Sequence, residues 1–260
     1  MIIYFAGIGG WEKLIIAEGV RSVLCTFADR KGSERTLATY PDVFVDSGAF
    51  SISKGNASHD VETYGAWCLA RGLKPKTYAT LDVVGDAVGT HENTQYMWEL
   101  GLDPIPVFTR GAPIEYLKEY CARSDRIALG GTATAGRGHR EPFLDWAWDT
   151  IAEYWPIRVH GFGVTARWAL EKYPWHSVDS TTWVNASRMG NVLTSEVKQM
   201  AVGKHADEEK LDREMRADRR FAVAADGGNE VRLTHNIRTM LKMQDDLTRL
   251  WTARGVTWDK

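Results

Sequence analysis

Cysteine is scarce in this 260-residue sequence. There are three, Cys25, Cys68 and Cys121, and none after position 121. They lie far apart with no CxxC, so neither a disulfide framework nor a thiolate zinc site is expected, and a reducing cytoplasm suits the chain best. Long apolar runs are also missing: none approaches the roughly 20 residues that cross a bilayer, so no membrane association is expected. The opening Met1-Ile2-Ile3-Tyr4-Phe5-Ala6-Gly7 is too short, and lacks the basic start, for a signal segment; it reads as a first strand. Charge imbalance is absent too. With 32 Lys and Arg against 34 Asp and Glu, the formal charge is −2, so no global positive field advertises nucleic acid, which leaves room for a local basic groove. His and Cys show no metal-ligand spacing, and no cofactor is expected. Gly7-Ile8-Gly9-Gly10 is not GxGxxG and has no placed acidic ribose ligand, which disfavours a dinucleotide site.

What the sequence does hold is alternation. Eight short apolar runs, at 2–6, 22–27, 43–46, 77–83, 105–108, 126–129, 158–163 and 177–179, are separated by segments of helical periodicity at about 10–18, 59–72, 89–100, 112–122, 141–154 and 165–172. The 29–42 link is partly polar and only loosely helical, and the 172–176 link is short. Strands separated by helices imply βαβ units and a parallel sheet. Eight of them predict an α/β fold, a (β/α)8 TIM barrel over 1–183, with an open doubly wound sheet as the alternative. Most runs end in Gly, Asp, Ser or Thr, and polar clusters at successive strand C-termini are what the active face of a barrel requires. The remainder, 184–260, reads as a C-terminal helical extension packed on the barrel. Within it, 204–220 is dense in both charge signs, 222–228 is small-residue turn sequence, and 232–253 carries an apolar stripe of helical period.

The residues with chemical promise sit at these strand ends. Asp46-Ser47-Gly48-Ala49-Phe50 follows Val43-Phe44-Val45, and Val178-Asp179-Ser180 repeats the Asp-Ser pair at the last strand. Either Asp alone suits a turn or helix cap equally well. Together they suggest two carboxylates facing one pocket, the usual equipment for breaking and remaking glycosidic bonds. Asp82, flanked by Leu81 and Val83, needs a partner because an isolated buried charge is costly. Gly130-Gly131 would let backbone N–H groups approach a ligand. His160, before Gly161, suits either stacking on a planar ligand or a satisfied buried role.

In their order, these motifs resemble those of the tRNA-guanine transglycosylase superfamily, and most nearly its shortened, phage-type relatives that place 7-deazaguanine bases in DNA. Asp46-Ser47-Gly48-Ala49-Phe50 is similar to the family's DSGG-aromatic segment, and Leu81-Asp82 to its FD segment. Leu129-Gly130-Gly131 is similar to its double-glycine strand, His160-Gly161-Phe162-Gly163-Val164-Thr165 to its MGVGT segment, and Val178-Asp179-Ser180 to its FDC segment. The resemblance implies a TIM barrel and base exchange without net hydrolysis. By it, Asp179 is the nucleophile at C1′ of the target guanosine and Asp46 the general acid/base. Asp82 accepts hydrogen bonds from the base, Gly130 and Gly131 bind its carbonyl, Phe50 and His160 sandwich it, and Ser47 and Gly161 complete the base site.

The sequence departs from the family pattern in lacking the C-terminal zinc site, the basic continuation after the nucleophile segment and the Gln after the fifth strand. These departures favour DNA over tRNA as substrate, with a base such as 7-cyano-7-deazaguanine incoming. Arg110, Arg137, Arg140, Arg188 and Lys54 are candidate phosphate contacts, helped by the 184–260 segment, a second copy of the chain or a partner subunit. If phage-encoded, the protein would work in the host cytoplasm. Two other readings remain open at this stage: an N-glycoside hydrolase of small molecules built on the same carboxylates, and a non-catalytic barrel that binds a base or a protein.

Overall fold

In a computed structural model, residues 1–74, 76–132, 136–201 and 228–258 are described. Strands β1 (Ile2–Phe5), β2 (Ser22–Thr26), β3 (Asp42–Asp46), β4 (Val107–Thr109), β5 (Arg126–Gly130), β6 (Arg158–Gly161) and β7 (Ser177–Ser180) form one sheet in the order β3-β2-β1-β7-β6-β5-β4. All its pairings are parallel. Its two edges, β3 and β4, do not stay open. Val45 pairs with Tyr78, and Ala79 with Ile105, both in parallel. Backbone bonds from Ala79 N–H to the Val45 carbonyl (2.9 Å) and from Ile105 N–H to the Tyr78 carbonyl (2.8 Å) tie the 77–80 segment to both neighbours. That segment is the eighth stave, and the barrel closes in chain order.

The connecting helices are α1 (Glu12–Ala17), α2 (Arg30–Thr39), α3 (Ala49–Ser53), α4 (Val61–Arg71), α5 (Ala87–Glu99), α6 (Ile114–Arg123), α7 (Arg137–Ala152), α8 (Arg167–Lys172) and α9 (Thr182–Arg188). Several start where the sequence supplies a side-chain cap. Asp29 accepts from Gly32 N–H, Asp60 from Thr63 N–H and Asp86 from Gly89 N–H. The Asp29 cap makes the loosely helical 29–42 link a regular helix. In α7 the helix begins upstream of the expected 141, at Arg137, and carries Pro142 inside it.

Residue parity sorts the barrel into an inside and an outside, as the two-residue period of a strand requires. Tyr4, Phe44, Ala79, Ile105, Val107 and Ala128 pack together in the interior. Their outward neighbours Ile3, Phe5, Val23, Ile127, Leu129, Val159 and Val178 join the larger core beneath the helices. Gly161 belongs to the outward set. A Cβ there would lie 2.8 Å from Trp175 and from Val164, so its glycine identity is a packing requirement.

Beyond the barrel, β8 (Asn191–Leu193) and β9 (Gln199–Ala201) form an antiparallel hairpin, which the helical reading of the tail missed, and α10 (Asn229–Ala253) returns across the barrel. Its Leu233, Ile237, Met240, Met243 and Leu247 share one core with the barrel strands. Residue 183, the expected end of the barrel, falls inside α9. The charged 204–220 and most of the 222–228 stretch lie outside the described residues. No described helix is long and apolar enough to cross a membrane.

Candidate active site

Asp46 ends β3 with its side chain inside the barrel mouth. The next residues turn sharply. Gly48 has φ +87°, and a Cβ there would approach Ala28 to 3.0 Å. This turn brings Gly48 N–H back to Asp46 Oδ2 at 3.0 Å. Thr26, opposite Asp46 in the β2–β3 register, hydrogen-bonds the same carboxyl. Even so, burial first, and then the negative charges of Asp82 and Asp179, together push the Asp46 pKa up to about 7 against the lowering effect of the two hydrogen bonds. The three carboxylates therefore share one electrostatic environment, although they come from strand tips about 35 and 100 residues apart along the chain.

Asp82 follows the eighth stave. Asn93 donates to the Leu81 carbonyl at 2.8 Å, and Val83 N–H donates to Thr90 Oγ1 at 2.8 Å, so α5 holds the tip on both sides of Asp82. Ser47 Oγ–H donates to Asp82 Oδ1 at 3.3 Å. Burial raises the Asp82 pKa to about 6, against the lowering effect of its own backbone N–H and Ser47. Ser47, fully buried, thus serves Asp82 and has no surface of its own to offer a ligand.

Asp179, on β7, lies opposite Tyr4 in the β1–β7 register. Gly163 N–H donates to its Oδ1 at 2.8 Å, and His160 Nε2 lies 3.4 Å from the same oxygen. His160 offers no ring face for the expected sandwich of a base with Phe50. The His160 ring has no exposed surface; Phe44 covers its face at 4.3 Å between ring centroids, and Phe162 meets its edge. It is a residue of the barrel interior because β6 is still a regular strand at 160, with Val159 and Gly161 facing out. Gly161 faces the other way: its missing side chain makes room for Trp175, away from the barrel interior.

Phe50 is 62% exposed on α3, with Lys54 Nζ 5.4 Å above its ring. It remains free to stack on something. Gly130, the last residue of β5, faces inward. A Cβ would stand 3.3 Å from Val107 and 3.4 Å from Thr109, so its absence widens the mouth. Gly131 takes φ +71°.

Of the candidate phosphate contacts, Arg110 is exposed in the turn after β4. Arg137 and Arg140 begin α7, both over the Trp168 ring, and Arg137 also pairs with Glu141. Arg188 is exposed at the far end of α9. Arg110, Arg137 and Arg140 thus follow the C-terminal ends of strands, whereas Arg188 lies a helix length away from that mouth, and the four do not form a single patch. Among the described residues, no group of three or more His, Cys, Asp or Glu side chains is arranged to hold a metal ion.

Sequence reading missed several participants. Thr26 was hidden because its partner lies on another strand. His59, whose Nε2 lies 2.8 Å from the Ser47 carbonyl and whose ring meets Phe27 edge-on, sits in an undistinguished loop. Gly163 was visible only as part of a motif; its positive φ of 62° aims its N–H at Asp179.

No family model and no curated protein matches the chain. Among solved structures, the chain is similar to the YdjI aldolase from Escherichia coli K12, at 12% identity and a TM-score of 0.47, over 94% of this chain and 90% of that one.

Proposed function

We propose that this protein is a nucleic-acid guanine transglycosylase, acting on DNA in preference to tRNA and inserting a 7-deazaguanine base. The observation that carries the reading is the convergence of three carboxylates at one barrel mouth, with the Asp46 pKa raised by burial and by the other two. Asp46 holds a proton up to about pH 7, as a group must if it is to protonate a departing guanine near neutrality and deprotonate the incoming base. Asp179 has Oδ1 engaged by Gly163, which leaves Oδ2 to attack C1′ of the target sugar. The C1′–N9 bond breaks as the Oδ2–C1′ bond forms, and the guanine leaves with the proton from Asp46. The covalent ester holds the strand while bases exchange. The incoming base then attacks C1′, the ester bond breaks, and its N–H proton returns to Asp46. Two inversions give retention. Asp82 accepts from the N–H edge of the base, the Gly130-Gly131 backbone meets its carbonyl, and exposed Phe50 supplies a stacking face at the rim. The target nucleotide must leave the helix stack to reach this depth.

The test is release of radiolabelled guanine from DNA and, separately, from tRNA in the presence of excess 7-cyano-7-deazaguanine. Release from DNA that disappears in Asp179→Ala, with the fold intact by circular dichroism, is the expected result. Release that persists in Asp179→Ala would remove the nucleophile. No release from either polymer by folded wild type would overturn the reading in favour of a small-molecule hydrolase or a binding barrel.

A further inference from the structure

The barrel interior contains a polar chain that base exchange as described above does not use. At the N-terminal mouth, Ser22 Oγ–H and Tyr4 O–H both donate to Asp42, at 2.6 and 3.1 Å. Arg126 Nη2 lies 3.4 Å from Tyr4 Oη and 3.4 Å from Ser177 Oγ. Ser177 Oγ lies 3.0 Å from His160 Nδ1, and His160 Nε2 lies 3.4 Å from Asp179 Oδ1. The links run from one end of the barrel to the other through buried groups.

Donor counting gives the links one consistent direction. A guanidinium nitrogen only donates, so Arg126 spends the two hydrogens of Nη2 on Tyr4 and Ser177. Tyr4 then has its own hydrogen for Asp42. Ser177, already accepting from Arg126, has its hydrogen available for His160 Nδ1 at 3.0 Å, which then accepts. Burial pushes His160 below its usual pKa, more than neighbouring Asp179 raises it, which favours the neutral ring; with Nδ1 accepting from Ser177, its one proton is on Nε2. Nε2 is buried and makes no hydrogen bond that meets ordinary geometry, and Asp179 Oδ1 at 3.4 Å is the acceptor within reach. A buried donor left unmade is costly, so the long contact to Asp179 is the one that satisfies it.

We infer that His160 is a positioning residue for the nucleophile: with its tautomer set by Ser177 and Arg126, it clamps Asp179 Oδ1 together with Gly163 and so presents Oδ2 to the substrate. Ser177, His160 and Asp179 are the residue types of a hydrolytic triad, but the polarity is reversed. Ser177 is fully buried toward the N-terminal mouth and orients the imidazole, while Asp179 does the attacking. The inference rests on the proposed role of Asp179, and its test has an arm that does not.

Imidazole ¹⁵N–¹H correlation spectra of the full chain at pH 7 should show His160 as the neutral Nε2–H tautomer, and Ser177→Ala should leave a mixture. A Nδ1–H tautomer, or an imidazolium, in wild type would overturn the inference whether or not guanine is released. In the exchange assay, His160→Leu should lower kcat roughly 10- to 100-fold with KM within about twofold. His160→Gln, which keeps an N–H near the Nε2 position, should recover most of kcat. Equal losses in both variants, tracking their loss of thermal stability, would make His160 a packing residue and overturn the inference. Absence of release by wild type would fall on the proposed function alone, with the tautomer still deciding this one.

Discussion

At the scale of the residue, Asp46 is the group whose behaviour depends most on its surroundings. Its folded pKa of about 7 stands well above the value near 3.9 of an unfolded carboxylate. A carboxyl whose pKa is raised by folding binds its proton more tightly in the native state. Folding is therefore undisturbed below about pH 4 and increasingly opposed as pH rises through about 7, where the native carboxyl is finally forced to ionise. Asp46→Asn removes that burden and keeps an acceptor for Gly48 N–H. The variant should be more stable than wild type at pH 8, on the order of 1–2 kcal/mol after allowing for its partial access to solvent. The advantage should fade toward pH 4. Thermal melts at the two pH values check this; a difference that does not change with pH would mean that Asp46 is not the titrating group. The same variant should lose base exchange at every pH, because Asn can neither give nor take the proton.

At the scale of the element, α10 is held by more than its apolar stripe. Asn236, fully buried within it, accepts from Leu193 N–H at 2.7 Å and donates to the Trp183 carbonyl at 3.0 Å. One amide thereby joins α10 to β8 and α9. Asn236→Ala would strand a buried N–H and a buried carbonyl, at a cost of about 2–4 kcal/mol, read as a lower midpoint in urea with unchanged slope. A loss under about 0.5 kcal/mol would show that water or neighbouring groups take over both bonds.

The stripe was legible in the sequence because helical periodicity survives without knowledge of the partner; Asn236 was not, because its partners lie 43 and 53 residues away. The same rule separates what could be read of the barrel from what could not. The eight strands announced themselves as short apolar runs, since parallel strands are covered on both faces. Short helices such as α3 and α9 span too few turns to impose a period. The site was legible where a carboxylate ends a strand, as at Asp46, Asp82 and Asp179. At His160 the residue pattern left stacking and a buried role open, and the fully buried ring takes the second, because strand parity turns it into the barrel interior. The chain from Asp42 to His160 could not be read at all, because each link joins residues brought together only by closure of the barrel.

At the scale of the whole molecule, the barrel depends on its last helix. Met1 N donates to Thr248 Oγ1, Ile3 N–H donates to Gln244 Oε1, and Trp251 Nε1–H donates to the Leu170 carbonyl. The C-terminal helix thus covers the first strand of the barrel and reaches the helix before the last. Its buried Leu233, Ile237, Met240, Met243, Leu247 and Trp251 each contribute about 1.5–3 kcal/mol by leaving water, so that together they rival the 5–15 kcal/mol by which domains of this kind are stable. A chain ending at residue 201 keeps all eight staves and the three carboxylates, yet exposes Ile3, Leu170 and Trp183. It should not form a native barrel: near-ultraviolet circular dichroism should collapse and a hydrophobic dye should bind, while much far-ultraviolet signal remains. A cooperative melt within a few degrees of the full chain would show instead that the barrel stands alone and that α10 is an accessory laid on it.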